Sequence, residues 1–100
     1  MPAYVIGSYD VTDQDTYSAY VPAVIPLLQK HGAEVVVADY AAKALEGEAR
    51  GINVVLKFAS EEAALAWYND PDYDGPKNIR INSSANSTLV LAKGFVPPAG

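Results

Sequence analysis

The chain has 100 residues, of which 50% are apolar and 19% charged, a balance that is typical of one globular domain and excludes a disordered chain. Because it contains no cysteine, disulfides, thiolate nucleophiles and cysteine-bound metal centres are excluded as well. The formal net charge of -5 repels phosphate backbones, so we expect no nucleic-acid partner.

The N-terminal residues bear on location. The segment MPAYVIGSYDV has neither a basic leader nor an apolar core of signal-peptide length. No segment of the sequence approaches the ~20 consecutive apolar residues that span a bilayer. We therefore expect a cytoplasmic protein without a membrane partner.

The first predicted element is a strand over residues 3–11. β-branched and aromatic residues dominate it, and apolar side chains occupy both of its alternating faces. The two sets are Ala3, Val5 and Tyr9 on one side and Tyr4 and Ile6 on the other. Both faces of this strand are therefore expected to be covered.

A helix is predicted to follow, with Thr12 as N-cap and Asp15 in the position of a capping box. Gly32 is typical of the residue just after a helix. Pro22 and Pro26 each remove a helical hydrogen bond, so we expect a kink or a break between them. The apolar stripe of this helix consists of Tyr17, Tyr20, Val21, Val24, Leu27 and Leu28.

Two further strands are predicted over residues 33–40 and 52–58. In the second of these, alternate residues form one apolar face made of Ile52, Val54, Leu56 and Phe58. Ser60 in N-cap position, followed by two glutamates, predicts a second helix. Asn69-Asp70-Pro71 ends that helix, since the residue before proline disfavours helical angles.

The last quarter of the chain is predicted in short pieces. Asp70 is expected to cap a segment that begins at Pro71, and Gly75-Pro76 is expected to interrupt it. A helical turn then resumes through residues 79–81, and residues 87–95 form a fourth strand. Residues 96–100 are expected to be a flexible tail, which leaves residues 1–95 as a single domain.

The order of these elements is βαββαβ, which predicts an α+β, ferredoxin-like fold. In this fold a four-stranded antiparallel sheet carries two helices on one face. Tyr4, Ile6, Val90 and Ala92 then lie on the face without helices, and the chain has no third helix to cover them. We expect a second copy to cover that face, which gives a homodimer with the architecture of a dimeric α+β barrel. The alternative is a monomer with an apolar sheet face.

Short motifs along the chain are shared with a known family. They are Tyr17 with Tyr20, His31-Gly32, Leu45-Glu46-Gly47, Phe58-Ala59-Ser60, Trp67-Tyr68, Pro71 with Tyr73, Arg80 and Gly94. Over residues 3–95 the chain resembles the small bacterial proteins of domain of unknown function 1330 (DUF1330). The resemblance implies a dimeric α+β barrel, related in shape to cofactor-free monooxygenases and stress-responsive barrel proteins, and it implies no particular activity. Gly75-Pro76 and the two prolines of the first helix depart from the family's usual pattern.

The candidate pocket residues are His31, Trp67, Tyr68, Tyr73 and Arg80. Trp67 and Tyr68 are adjacent on a predicted helix, so their side chains point about 100° apart. We expect one of them to anchor the helix on the sheet and the other to line a cavity or a dimer seam.

Arg80 and His31 each have two interpretations. Arg80, near Ser83, Ser84 and Asn86, either holds an anionic ligand through its forked guanidinium or pairs with a carboxylate. His31, the only histidine, either caps the end of the first helix or acts as a general base.

Other residues give no further site. The alternating aspartates of residues 70–74 lack the glycine and the distant glutamate of a calcium loop. No metal site and no cofactor are predicted, and no catalytic residue is assigned.

Three functions remain open. The first is a homodimer that binds a small apolar or aromatic molecule between sheet and helices, with cofactor-independent oxygenase or isomerase chemistry as an extension. The second is a non-catalytic stress-associated or interaction module. The third is a tautomerase in which Pro2, freed by removal of Met1, acts as an N-terminal base.

Overall fold

The computed structural model describes residues 1–98 and contains a single four-stranded sheet within them. Its strands are β1 (Ala3–Val11), β2 (Glu34–Asp39), β3 (Ile52–Phe58) and β4 (Ser84–Lys93). The strands pair antiparallel in the order β2-β3-β1-β4. The helices are α1 (Gln14–Tyr17), α2 (Tyr20–Lys30), α3 (Glu61–Tyr68) and α4 (Asp74–Asn82), with a 3₁₀ turn at Pro71–Tyr73. The predicted α+β, ferredoxin-like fold is confirmed.

The two faces of the sheet differ as the alternation of β1 predicts. Val5 and Tyr9 are buried beneath the helices, whereas Ile6 is 40% exposed on the opposite face. In the register of the sheet, Ile6 lies beside Val90 and Tyr4 lies beside Ala92. One face is therefore packed by helices, and the other carries apolar side chains that no helix of residues 1–98 covers.

The first helical region begins and breaks elsewhere than predicted. Thr12 is not the N-cap, because its backbone N–H donates to the Ser83 carbonyl at 2.8 Å and holds it at the end of β1. Asp13 caps α1 instead, and its carboxylate accepts from the Thr16 backbone N–H at 3.1 Å. The helix is interrupted between Tyr17 and Tyr20, ahead of both prolines.

The prolines are tolerated because of where α2 starts. Pro22 is the third residue of α2, and the first turn of a helix has no internal partners for its N–H groups. Only Pro26 lies inside the helix, where it removes one hydrogen bond. Of the two predicted outcomes, a kink or a break, the break is wrong, because α2 is continuous through both prolines.

The same principle corrects the second helical region. Gly75-Pro76 does not interrupt it, since α4 runs without a break from Asp74 to Asn82. Pro76 is the third residue of α4, within the first turn, where its missing N–H costs no helical hydrogen bond. Upstream, the predictions are confirmed: Ser60 caps α3 through the Ala63 N–H at 3.1 Å, and Asp70 caps the turn that begins at Pro71.

The fourth strand starts earlier than predicted. A register shift between Ser8 and Asp10 of β1 lets the pairing continue to Ala85 and Ser84. Asn86 next to this shift has a φ of 56°, a conformation that asparagine tolerates better than most residues. Of the predicted tail, residues 99 and 100 lie outside the described residues.

A row of aromatic rings holds the helices on the sheet. The Trp67 ring lies 5.6 Å from that of Phe58 on β3 and 4.5 Å from that of Tyr73. Tyr73 continues the row to α2, because its hydroxyl lies 2.8 Å from the Tyr20 hydroxyl. Trp67 and Tyr73 are 1% and 0% exposed, so this row is the packing anchor of the helical layer.

A polar cluster closes the same end of the helical layer. The Asp70 carboxylate accepts from Lys30 Nζ and His31 Nε2, both at 2.8 Å, and from the Asp72 N–H at 2.9 Å. The hydrogen bonds from Lys30 and His31 lower the pKa of Asp70 well below its ordinary value of 3.8. The cluster joins the end of α2 to the 3₁₀ turn.

Gly32 provides a test of the α2 terminus. Its φ of +68° is disfavoured for residues with a Cβ, and a Cβ there would meet nothing within 4 Å. We expect Gly32→Ala to lower the free energy of unfolding by about 1 kcal/mol, from backbone strain alone. Gly32→Asn should lose clearly less, because asparagine tolerates this conformation. If urea denaturation shows that both variants lose the same free energy of unfolding, backbone strain is not the cause.

Asp70 provides a test at acid pH. Its lowered pKa means that its stabilising effect is fully present above pH 3.8 and is lost as the pH falls through the lower folded-state pKa. We expect Asp70→Asn, which keeps a capping side chain, to lower the melting temperature at pH 7. The difference from the unaltered protein should shrink below pH 3.8.

The control for this measurement is Asp72→Asn. The Asp72 carboxylate is 75% exposed and lies 3.7 Å from Lys30 Nζ, so its loss should change stability little. A deficit of Asp70→Asn that is the same at pH 3 as at pH 7 would show that its charge is not responsible.

Candidate functional site

A cavity of about 220 Å³ lies between α2 and the helix-covered face of the sheet. Most of its wall is apolar, and its main contributors are Val5, Val24, Leu28, Val54, Leu56 and Leu89. Gly7 of β1 enlarges it, since a Cβ at this position would lie 3.0 Å from Leu89 Cδ1. Protein interiors are normally close-packed, with few voids larger than a water molecule. A cavity of this volume is therefore a candidate binding site.

The cavity opens at the β2 edge of the sheet. Ile25 of α2, Val35 of β2 and Tyr40 after β2 line it, and they are 43%, 50% and 59% exposed. Every residue of β2 is exposed, because the helical layer does not extend over this strand. The uncovered strand therefore leaves a mouth through which a small molecule can enter.

The inner wall carries three tyrosines. The Tyr9 and Tyr17 hydroxyls lie 2.6 Å apart, and the Tyr20 hydroxyl is bonded to that of Tyr73 behind the wall. A hydrogen bond between two hydroxyls uses one hydrogen of two, so each pair keeps a free hydrogen.

These hydroxyls are neutral near pH 7. Burial raises the pKa of Tyr9, Tyr17 and Tyr20 above that of an ordinary tyrosine, because it disfavours the charged phenolate. They therefore contribute hydrogen-bond donors and acceptors to the cavity and no negative charge.

Arg80 lies in the same wall. It reaches the cavity from α4, is 5% exposed, and has its guanidinium carbon 6.0 Å from the centre of the Tyr9 ring. Among residues 1–98, no carboxylate lies within ion-pair distance of it. Its buried Nε has no hydrogen-bond partner. Arginine remains protonated in proteins, so the wall contains a buried cation without a counter-ion.

Trp67 adds a further unpaired donor. Its indole lines the cavity, and Nε1 is buried without a partner. Buried polar groups are usually paired, and each exception calls for an explanation. Both unpaired groups in the described chain are N–H donors, and both belong to residues of this one cavity.

The structure separates the predicted pocket residues into two groups. Trp67 and Arg80 line the cavity. Tyr73 is buried behind it, and His31 is bonded to Asp70 at the end of α2. Tyr68 is half-buried, with Lys77 Nζ 4.0 Å from its ring centre, and lines a second cavity together with Trp67. None of these three is in the wall of the cavity between α2 and the sheet.

The surroundings of Arg80 also differ from the prediction. Ser83 and Ser84 donate their hydroxyls to the carbonyls of Ile79 and Arg80, so they serve the end of α4 and not the guanidinium. The neighbours that matter are Tyr9, Tyr17 and Tyr20, which the sequence presents only as parts of a strand and of a helical stripe. Three tyrosines on core positions are the signal that could have identified them, since a buried hydroxyl needs a partner.

Two further findings for residues 1–98 concern a metal site and a membrane-spanning helix. Within residues 1–98, no group of three histidine, aspartate or glutamate side chains is arranged to hold a metal ion. No helix in that range has the length and hydrophobicity to cross a bilayer.

Solved structures share this architecture. A protein of unknown function from Rhodopseudomonas palustris superposes with a TM-score of 0.82 at 19% identity, covering 96% of this chain and 84% of that one. A dimeric, ferredoxin-like protein of unknown function from Bacteroides fragilis has a TM-score of 0.65 at 12% identity, with coverage of 93% and 96%. A putative antibiotic biosynthesis monooxygenase from Bacteroides thetaiotaomicron has a TM-score of 0.62 at 17% identity, with coverage of 99% and 94%.

These likenesses are below 25% identity and establish the fold alone. No curated protein sequence matches the chain significantly. The sequence does match a family described as Domain of unknown function (DUF1330) over residues 2–95, nearly its whole length. The chain belongs to the DUF1330 family.

Proposed function

We propose that this protein binds a small apolar or aromatic molecule in the cavity between α2 and the sheet, and that it does so as a homodimer. The observation that supports binding is the volume of about 220 Å³ behind an apolar wall. An engineered apolar cavity of ~150 Å³ is large enough to hold benzene. A molecule with one aromatic ring and a small substituent therefore fits.

The homodimer is supported by the uncovered face of the sheet. Ile6 and Val90 lie side by side on this face, on β1 and on the edge strand β4, and they are 40% and 53% exposed. Soluble monomers rarely leave a contiguous apolar sheet face in water. Structural relatives from Bacteroides fragilis and Thermobifida fusca are described as dimeric. A second copy packed face to face is the self-complementary solution.

Binding is better supported than proton-transfer catalysis. Two of the structural relatives are described as putative antibiotic biosynthesis monooxygenases, which suggests cofactor-independent oxygenase chemistry. However, the described cavity wall contains no carboxylate or imidazole, and the raised pKa values of Tyr9, Tyr17 and Tyr20 keep their hydroxyls protonated at neutral pH, so they are poor bases.

The Pro2 tautomerase has less support. The Pro2 carbonyl accepts from the Gly94 N–H at 3.0 Å, next to the end of β1 that pairs with Phe58. The tyrosines of the cavity lie toward the other end of this strand, where Tyr9 pairs with Ile52. Pro2 is not part of the cavity wall.

Cavity binding is tested with toluene. We expect toluene to raise the melting temperature, because a ligand that binds only the folded state stabilises it. Val24→Phe, which fills the cavity from α2, should abolish this shift. The control Ile81→Phe adds the same ring at a position that is 50% exposed and should keep it. Absence of a shift in the unaltered protein, or an equal shift in Val24→Phe, would contradict the proposal.

The homodimer is tested by light scattering at micromolar concentration. We expect a mass of twice the 10.6 kDa of one chain. Val90→Lys should reduce it to that of one chain, because it buries a charge in the interface. Ile81→Lys, at a position of α4 that is 50% exposed, is the matched control and should remain dimeric. A single-chain mass for the unaltered protein would contradict the dimer.

A further inference from the structure

We infer that the ligand of the cavity is a small aromatic or branched aliphatic monocarboxylate, with its carboxylate bound by Arg80. This inference rests on the proposed function, that the cavity takes a small molecule, and it specifies the chemical class. It follows from the charge of Arg80 and from the unpaired polar atoms of the wall residues, which are N–H donors.

The first step concerns charge. Arg80 brings a full positive charge into a wall that is otherwise apolar or neutral, and the tyrosine hydroxyls around it are paired with one another. A buried cation without a counter-ion is unfavourable, and an anion next to it removes that cost. The cavity is therefore complementary to a ligand with one negative charge.

The second step concerns hydrogen bonds. Two residues of the wall each carry a buried N–H without a partner, Arg80 at Nε and Trp67 at Nε1, and each of the two tyrosine pairs has one free hydrogen. The two nitrogen groups can only donate, and each free hydroxyl hydrogen is a further donor. An ionised carboxylate is an acceptor only, and it matches the planar fork of a guanidinium with two parallel bonds.

The third step concerns the rest of the ligand. Away from Arg80, the wall is formed by Val24, Leu28, Val54 and Leu56, which offer no polar partner. The volume of about 220 Å³ leaves room for a single ring or a short branched chain beside the carboxylate. A phosphate ester or a dicarboxylate would leave a second charge against these side chains, which disfavours both classes.

The inference is tested by calorimetric titration of benzoate and benzamide, which have the same shape and differ in charge. We expect the unaltered protein to bind benzoate about 10- to 100-fold more tightly, as hydrogen bonds to charged groups are stronger than those between neutral groups. Arg80→Met should remove this preference while retaining binding of benzamide.

Arg50→Met is the matched control. Arg50 lies outside the cavity wall and pairs with Asp10 at 3.4 Å, so its replacement changes the net charge equally without touching the cavity. It should keep the preference for benzoate. A loss of preference in both variants would assign the effect to net charge and overturn the inference.

Folding of Arg80→Met is checked by its melting temperature. We expect that temperature to be unchanged or higher without ligand, because a buried cation that has no counter-ion is replaced by an apolar side chain of similar length. A role of Arg80 in stabilising the fold would instead lower it. If this variant fails to fold, the comparison of benzoate with benzamide in the unaltered protein still decides.

The outcomes also separate the two proposals. Equal affinity for benzoate and benzamide would overturn the carboxylate class and leave cavity binding intact. If neither compound binds and toluene gives no thermal shift, cavity binding is overturned as well. Tighter binding of benzoate than of benzamide, together with a thermal shift by toluene, supports both proposals.

Discussion

The contact on which the rest of the structure depends is the row of aromatic rings from Phe58 through Trp67 and Tyr73 to Tyr20. It links β3, α3, the 3₁₀ turn and α2, with ring centres 5.6 and 4.5 Å apart and a final hydroxyl contact of 2.8 Å. Large buried aromatic side chains contribute several kcal/mol each to stability. This row fixes how far the helices stand from the sheet at one end of the domain.

The same row determines where the interior is empty. Phe58 and Trp67 fill the space at the end of β1 that holds Ala3, whereas Gly7 places no side chain in the middle of the strand. The aromatic rings set the distance between α2 and the sheet, and no side chain fills the space between them near Gly7. Trp67 is thus both a packing anchor and part of the cavity wall.

The polar groups of the interior have a consistent chemistry. Arg80 and the tyrosines at positions 9, 17 and 20 come from β1, α1, α2 and α4, and the two unpaired buried atoms, Arg80 Nε and Trp67 Nε1, are donors. A fold optimised for stability alone would pair or remove such groups. Unfilled interior volume and unpaired buried polar groups are both expected mainly at functional sites, and here they occur at the same cavity.

The sequence by itself determined the order of the elements, the antiparallel α+β fold and the two-faced character of β1, because alternation, helical spacing and capping are properties of neighbouring residues. It also identified Trp67 and Arg80 as candidates. It did not determine which prolines the helices tolerate. Pro22 and Pro76 are tolerated because each is the third residue of its helix, and the residues at which α2 and α4 begin depend on packing against the sheet.

Only the tertiary structure decided which side chains form the cavity. Tyr9 and Arg80 are 71 positions apart in the numbering, and their approach to 6.0 Å depends on the pairing of β1 with β4 and on the placement of α4. The separation of His31 from the cavity was decided in the same way, by its hydrogen bond to Asp70. Local patterns carry no information about such distant contacts, because the contacts are fixed by the packing of whole elements.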